Sequence, residues 1–246
     1  AAPTRPAIDP RNLLAALTLD QPLTRDEYEP LLEHWQSRLN RLSRDPRLRR
    51  HSVVVAFEGS DAAGKGGAIR RVTPALDARY YQGVSIAAPT DEERAQPYLW
   101  RFWRNLPRHG HFTLFDRSWY GRVLVERVEG YCSEADWMRA YGEINDFEGE
   151  LCAHGTIVVK FWLQISKQEQ LARFREREKV AFKNFKITPD DWRNRRRWDA
   201  YQQAACDMVE RTSTDVARWT LVEANNKYFA RIKVLSTLVE KIEQAL

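Results

Sequence analysis

At 246 residues, 43% of them apolar or aromatic, the chain is long enough to bury one sizeable core and too apolar for a disordered polypeptide. Its 39 basic and 34 acidic residues leave a formal charge of +5, modest in sum but uneven, with arginine runs at 47–50, 70–71, 173–177 and 193–197. Cys132, Cys152 and Cys206 offer neither a disulfide framework nor metal-ligand spacing, and no apolar run reaches spanning length or reads as a signal peptide, so a cytoplasmic setting without a membrane partner is expected.

The opening "AAPTRPAIDPRN" lacks an initiator Met and is rich in Pro and Ala. Residues 1–23 read as a linker, which fits a piece cut from a longer protein. A helix is predicted over 24–44, with Thr24 and Glu27 as a capping box and Tyr28, Leu31, Leu32, Trp35, Leu39 and Leu42 along one face. Strands are predicted at 52–57, 80–86, 111–116, 156–165 and 219–224. Between them fall helices at 65–76, 97–106, 133–152 and 167–179, a helix opened by Thr188-Pro189, and a closing helix at 229–245. Apolar strands alternating with helices predict a parallel sheet covered on both faces.

The chemistry starts at "VVVAFEGSDAAGKGGAIRR", residues 53–71. A buried strand delivers a turn of small residues, Gly59, Ala62, Ala63, Gly64, Gly66 and Gly67, whose backbone N–H groups can face a phosphate. The following helix N-terminus adds its field and Lys65 adds a full charge. Gly66 stands where a magnesium-binding Ser or Thr belongs in the common phosphate-loop pattern. Asp61 inside the loop can take that role, because a carboxylate is a good hard-cation ligand. Asp116, at the end of the strand in "LFDRSWYGR", supplies a second acid, and Arg117 and Arg122 can neutralise a phosphoryl group in transfer. "RHGH" at 108–111 reads as a surface turn. "RNRRRW" lacks the stacking module or groove-reading motif that a nucleic-acid partner needs.

"GSDAAGKGG", "PTDEERAQPY", "FDRSWYGRVLVERVEGY" and the basic connector before "ITPDDWRNRRRWDAY" together resemble polyphosphate kinase family 2, in the family's order and from about residue 24 to the end. The resemblance makes the missing hydroxyl at Gly66 a family trait. It implies a single catalytic domain over 24–246 with a three-layer α/β/α, nucleotide-kinase-like phosphate-loop fold, a parallel sheet of about five strands and a basic helical lid near 173–200. It also implies Mg²⁺-dependent phosphoryl transfer between inorganic polyphosphate and a nucleoside mono- or diphosphate. By matching, Asp61, Lys65, Asp116 and Arg117 take the catalytic positions, with Asp61 and Asp116 toward the metal, and Arg177, Lys183 and Lys186 fall on the lid. Val180-Ala181 and Phe185 depart from the family's Asp-Pro and Trp there. Gly121 followed by "RVLVERVEGY" is similar to the subgroup that phosphorylates AMP, whose members often fuse two kinase-like halves with the second one catalytic. A homo-oligomer is compatible with this reading. The rivals are an ATP-dependent nucleotide kinase of the same fold and a non-catalytic polyanion-binding domain.

Overall fold

The computed structural model describes residues 12–179 and 188–246. In it the run SVVVAFEG forms β1 (Ser52–Gly59), with Val53, Val55 and Phe57 entering one core and Val54 and Ala56 the other. A strand apolar on both sides is stable only inside a sheet covered twice. β2 (Tyr81–Ser85), β3 (Phe112–Asp116), β4 (Thr156–Gln164) and β5 (Trp219–Glu223) complete that sheet in the order β2-β3-β1-β4-β5. All four pairings are parallel, and Phe57 lies in register with Asp116 on one side and Phe161 on the other. The carboxyl ends of β1, β3 and β4 therefore open at one edge of the molecule.

In chain order the helices are α1 (Arg25–Ser43), α2 (Lys65–Val72), the short α3 (Asp91–Arg94) and α4 (Trp100–Trp103), α5 (Val125–Glu129), α6 (Glu134–Ala153), α7 (Lys167–Glu178), α8 (Pro189–Arg196), α9 (Trp198–Thr212) and α10 (Lys227–Ala245). One face of the sheet is covered by α1, α2 and α10, through Leu39, Val72, Val234 and Leu238 among others. The other face is covered by α6 and α9, through Ile144, Phe147, Ala205 and Met208. The result is the three-layer α/β/α architecture that the strand and helix alternation predicts.

Several boundaries differ from the sequence reading, for local reasons. The predicted helix 65–76 stops at Val72, and Thr73–Ala75 closes as a 3₁₀ turn because Pro74 has no N–H to continue the ladder. The predicted helix 97–106 shrinks to the four residues of α4, whose N-cap Leu99 offers no side-chain acceptor. The helix opened by Thr188 has its capping box with Asp191 but ends at Arg196, and α9 follows after Arg197. The short α3 and α5 are additions. Residues 12–23, within the stretch read as linker, lie against the domain: Leu14 is buried in the α6/α9 core, and Asn226 donates to the Leu23 carbonyl. Among the described residues, no helix is long and apolar enough to cross a membrane.

Candidate active site

The loop between β1 and α2 is shaped by two glycines. Gly59 has φ +150°, and a Cβ there would lie 2.5 Å from the Leu163 carbonyl oxygen of β4, so no other residue fits without moving the sheet. Gly64 caps α2 at φ +110° and supplies no side-chain acceptor, which leaves the first N–H groups of α2 without intrahelical partners. Such donors, with the positive end of the helix, are suited to receive an anion. Lys65 begins the helix and its Nζ folds back to the Gly59 carbonyl at 2.8 Å.

Asp116 ends β3 beside this loop. Its Oδ2 sits 3.8 Å from where a Cβ on Gly66 would lie, so the carboxylate reaches over the first turn of α2. The next residue, Arg117, is one of two non-glycine residues at positive φ (+64°) among those described; the other is Ala62, in the phosphate loop. Left-handed backbone is costly for such residues and persists where the surroundings over-determine it. Here the Arg117 N–H donates to the Phe57 carbonyl at 3.1 Å, and Ser118 donates through both N–H and Oγ to Glu58, at 2.7 and 2.8 Å. Glu58 is 4% exposed. Burial pushes its carboxyl up, while the Ser118 hydroxyl and the charges of Lys65 and Arg117 pull it down.

The turn thus fixed sends Arg117 back over the loop, its Nη2 3.3 Å from Asp61 Oδ1. From the opposite side Asn194 of α8 donates to Asp61 Oδ2 at 2.8 Å. α8 is held there by Glu129, which pairs with Arg193 at 3.1 Å and accepts from the Tyr201 hydroxyl at 3.1 Å. Further along the turn, Trp119 and Tyr120 donate to the buried Glu148 at 3.0 and 2.6 Å, and the wholly buried Lys160 of β4 completes the network at 2.7 Å from Glu148.

A cleft of about 1000 Å³ opens from Asp61, Arg117 and Gly121 toward Arg101, Arg122 and Arg193. Arg122 pairs with Glu126 at 3.1 Å and lies over the Tyr98 ring. Of the other residues singled out in the sequence, Arg177 is half-buried in the last turn of α7, and Lys183 and Lys186 lie outside the described residues, as do Val180, Ala181 and Phe185. His109 and His111 stand at the amino end of β3, away from the loop.

Sequence reasoning missed Glu58, Glu148, Lys160, Arg173 and Asn194. The first and third left a signal, each being a charged residue within an apolar strand. Among the described residues, no three or more His, Cys, Asp or Glu gather as a self-sufficient metal cage. Two carboxylates at the phosphate loop nonetheless suit Mg²⁺, which binds through one or two acids and completes its shell with water and phosphate oxygens. Asp61 and Asp116 fit that requirement. Arranged in this way, the site can grip one phosphate chain at α2 and present a second, charge-balanced group to it from the cleft.

The chain is 63% identical over 245 residues to a polyphosphate:AMP phosphotransferase of Pseudomonas aeruginosa, covering all of this chain and 49% of that protein. It is 41% identical over 192 residues to an ADP-polyphosphate phosphotransferase of the same organism, covering 78% of this chain and 63% of the relative. A crystal structure of a polyphosphate kinase 2 from Pseudomonas aeruginosa superposes with a TM-score of 0.94 at 64% identity, over 96% of this chain and 52% of that one. The chain therefore spans about half the length of the first relatives it matches. The family model for polyphosphate kinase 2 matches residues 22–246, nearly the whole length, including every loop residue described above, and the chain belongs to the polyphosphate kinase 2 family.

Proposed function

We propose that the chain transfers a phosphoryl group from inorganic polyphosphate to AMP, forming ADP, in a reversible, Mg²⁺-dependent reaction. The observation that carries this reading is the contact of Arg117 with Asp61 at the mouth of the cleft, in the loop that leads into the N-terminus of α2. The donor's terminal phosphates lie along the N–H groups of Gly64, Lys65 and Gly66, with the Lys65 ammonium swinging from the Gly59 carbonyl to their oxygens. A phosphate oxygen of AMP, presented from the cleft, attacks the terminal phosphorus. The new P–O bond forms as the bridging P–O bond breaks, and polyphosphate leaves one unit shorter. Arg117 balances the charge spread over the equatorial oxygens, with Arg122 on the acceptor side. Asp61 and Asp116 would hold Mg²⁺, which when bound would supply further neutralisation of the phosphate charge. Arg177, Lys183 and Lys186 are assigned to the charge of the donor, as the family resemblance implies. No covalent intermediate on the protein is needed, because positioning and charge suffice for this chemistry.

AMP is favoured as acceptor because Gly121 opens the cleft wall where the AMP-using subgroup has the same residue, and because the relative matched at 63% identity is named for that reaction. The test is a matrix of initial rates with long-chain polyphosphate or ATP as donor and AMP, ADP or GDP as acceptor, at equal concentrations. Polyphosphate with AMP is expected to be fastest. A better rate with ATP would replace the donor, and a better rate with ADP would replace the acceptor.

A further inference from the structure

In the sequence Arg173 belongs to a basic run of the kind that usually faces solvent. In the fold it is 4% exposed and its side-chain donors are engaged on three sides. Nη1 donates to the carbonyls of Ala62 and Ala63 at 2.9 and 3.1 Å, and Nη2 to those of Ala224 and Asn225 at 2.7 and 2.9 Å. Nε donates to Glu169 at 2.6 Å, so the charge is neutralised locally. One turn earlier on α7, Gln170, 2% exposed, donates to the Asp61 carbonyl at 3.1 Å.

Three consecutive carbonyls of the phosphate loop, at Asp61, Ala62 and Ala63, are thus drawn toward one helix. In a trans peptide the N–H points opposite to the C=O. Turning these carbonyls to α7 sends the amides of Ala62, Ala63 and Gly64 the other way. That of Ala63 closes on the Ser60 carbonyl, and that of Gly64 opens the row of orphan donors that continues into α2. Ala62, whose left-handed backbone the loop requires, is itself one of the residues held. The other two carbonyls belong to the chain just after β5, so Arg173 ties the loop to a strand end on the far side of β4.

We propose that Arg173, aided by Gln170, is a positioning residue that fixes the phosphate loop with the orphan amides from Gly64 into α2 turned to the donor, acting through the backbone without touching substrate. The proposal rests on polyphosphate being the donor. A lysine would keep the charge but not the planar fork that reaches four carbonyls at once. The role is therefore geometric, and Arg173→Lys separates geometry from charge.

The experiment measures tripolyphosphate binding by calorimetry, and the KM for polyphosphate and for AMP, in wild type, Arg173→Lys and Gln170→Leu, with thermal melts of each. Arg173→Lys is expected to weaken tripolyphosphate binding and raise the polyphosphate KM by about tenfold or more, the scale of a misplaced binding group, while the AMP KM stays within about twofold. Gln170→Leu, which releases the Asp61 carbonyl and the Arg195 guanidinium and keeps the packing volume, is expected to show a smaller loss of the same pattern. Free guanidinium added to Arg173→Ala should recover part of the donor affinity. Folded variants that bind tripolyphosphate as wild type does would overturn the clamp, as would an equal rise in both KM values. If Arg173→Lys does not melt cooperatively, Gln170→Leu decides by the same criteria. A wild type that ignores tripolyphosphate strikes the donor assignment instead, and this proposal falls with it.

Discussion

Asp61 is held at three atoms: Arg117 and Asn194 each take one carboxylate oxygen, and Gln170 takes its carbonyl. A bare carboxylate would repel phosphates from the loop, so its place there makes sense with cations around it. Arg117 supplies one, and the proposed metal another. Asp61→Asn keeps the shape and removes the charge, and turnover with Mg²⁺ is expected to fall by about two orders of magnitude or more, the scale of losing one preorganised electrostatic group. The melting temperature should change little, because the residue packs no core. Gly66→Ser in the same protein, restoring the hydroxyl of the commoner loop, should not recover the activity. Near-normal turnover of Asp61→Asn would reduce the residue to a turn former. That Asp61 and Lys65 share one strand-to-helix loop was legible because such a loop is written in short spacings. Arg173 and Asn194 were not, because what makes them matter is a partner far along the chain. Nothing within "ARFRERE" distinguishes the buried arginine from its less buried neighbours.

At the scale of elements, the five strands were readable to within two residues at either end, since a strand buried on both faces is an uninterrupted apolar run. Helices of four or five residues were not readable, because α3 and α5 are too short to show a period. β4 carries the exception within its own pattern, "TIVVKFWLQ", where Lys160 is completely buried among apolar neighbours. Its ammonium meets Glu148, the Tyr120 hydroxyl and the Thr212 carbonyl at 2.7 to 2.9 Å. Burial lowers the Lys160 ammonium and raises the Glu148 carboxyl, each opposed by the other's charge. Lys160→Met leaves the acid buried without its cation, and should cost roughly 3–5 kcal/mol in urea unfolding. Because Glu148 also anchors Trp119 and Tyr120, the folded fraction should show reduced turnover as the Arg117 turn loosens. A loss below about 1 kcal/mol would mean that water reaches the pair.

Seen whole, Arg101, Arg117, Arg122 and Arg193 line one cleft at the carboxyl end of the sheet, where the proposed substrates meet. The proposed donor is a longer chain of charges than the proposed acceptor, AMP, so its binding should weaken more steeply as salt screens the contacts. Alanine at Lys183 or Lys186 is expected to raise the polyphosphate KM by the equivalent of about 1.5–3 kcal/mol, the range for charge-assisted hydrogen bonds, with less effect on AMP. A change confined to AMP would move both lysines off the donor path.

The parallel sheet also governs when the site comes into being. β1 is the middle strand, and its two partners, β3 and β4, arrive only after the intervening helices have crossed over. No hairpin can nucleate such a sheet, so every pairing waits on closing a long stretch of chain, and folding is slow for that reason. Asp116 and Arg117 reach the loop only after β3 has docked, and Arg173 only after β4 and α7 have followed. The loop sequence is therefore present from the first moments of folding, but its amides acquire their direction near the end. A nascent chain released partway through synthesis would have the phosphate-loop motif and no grip on phosphate.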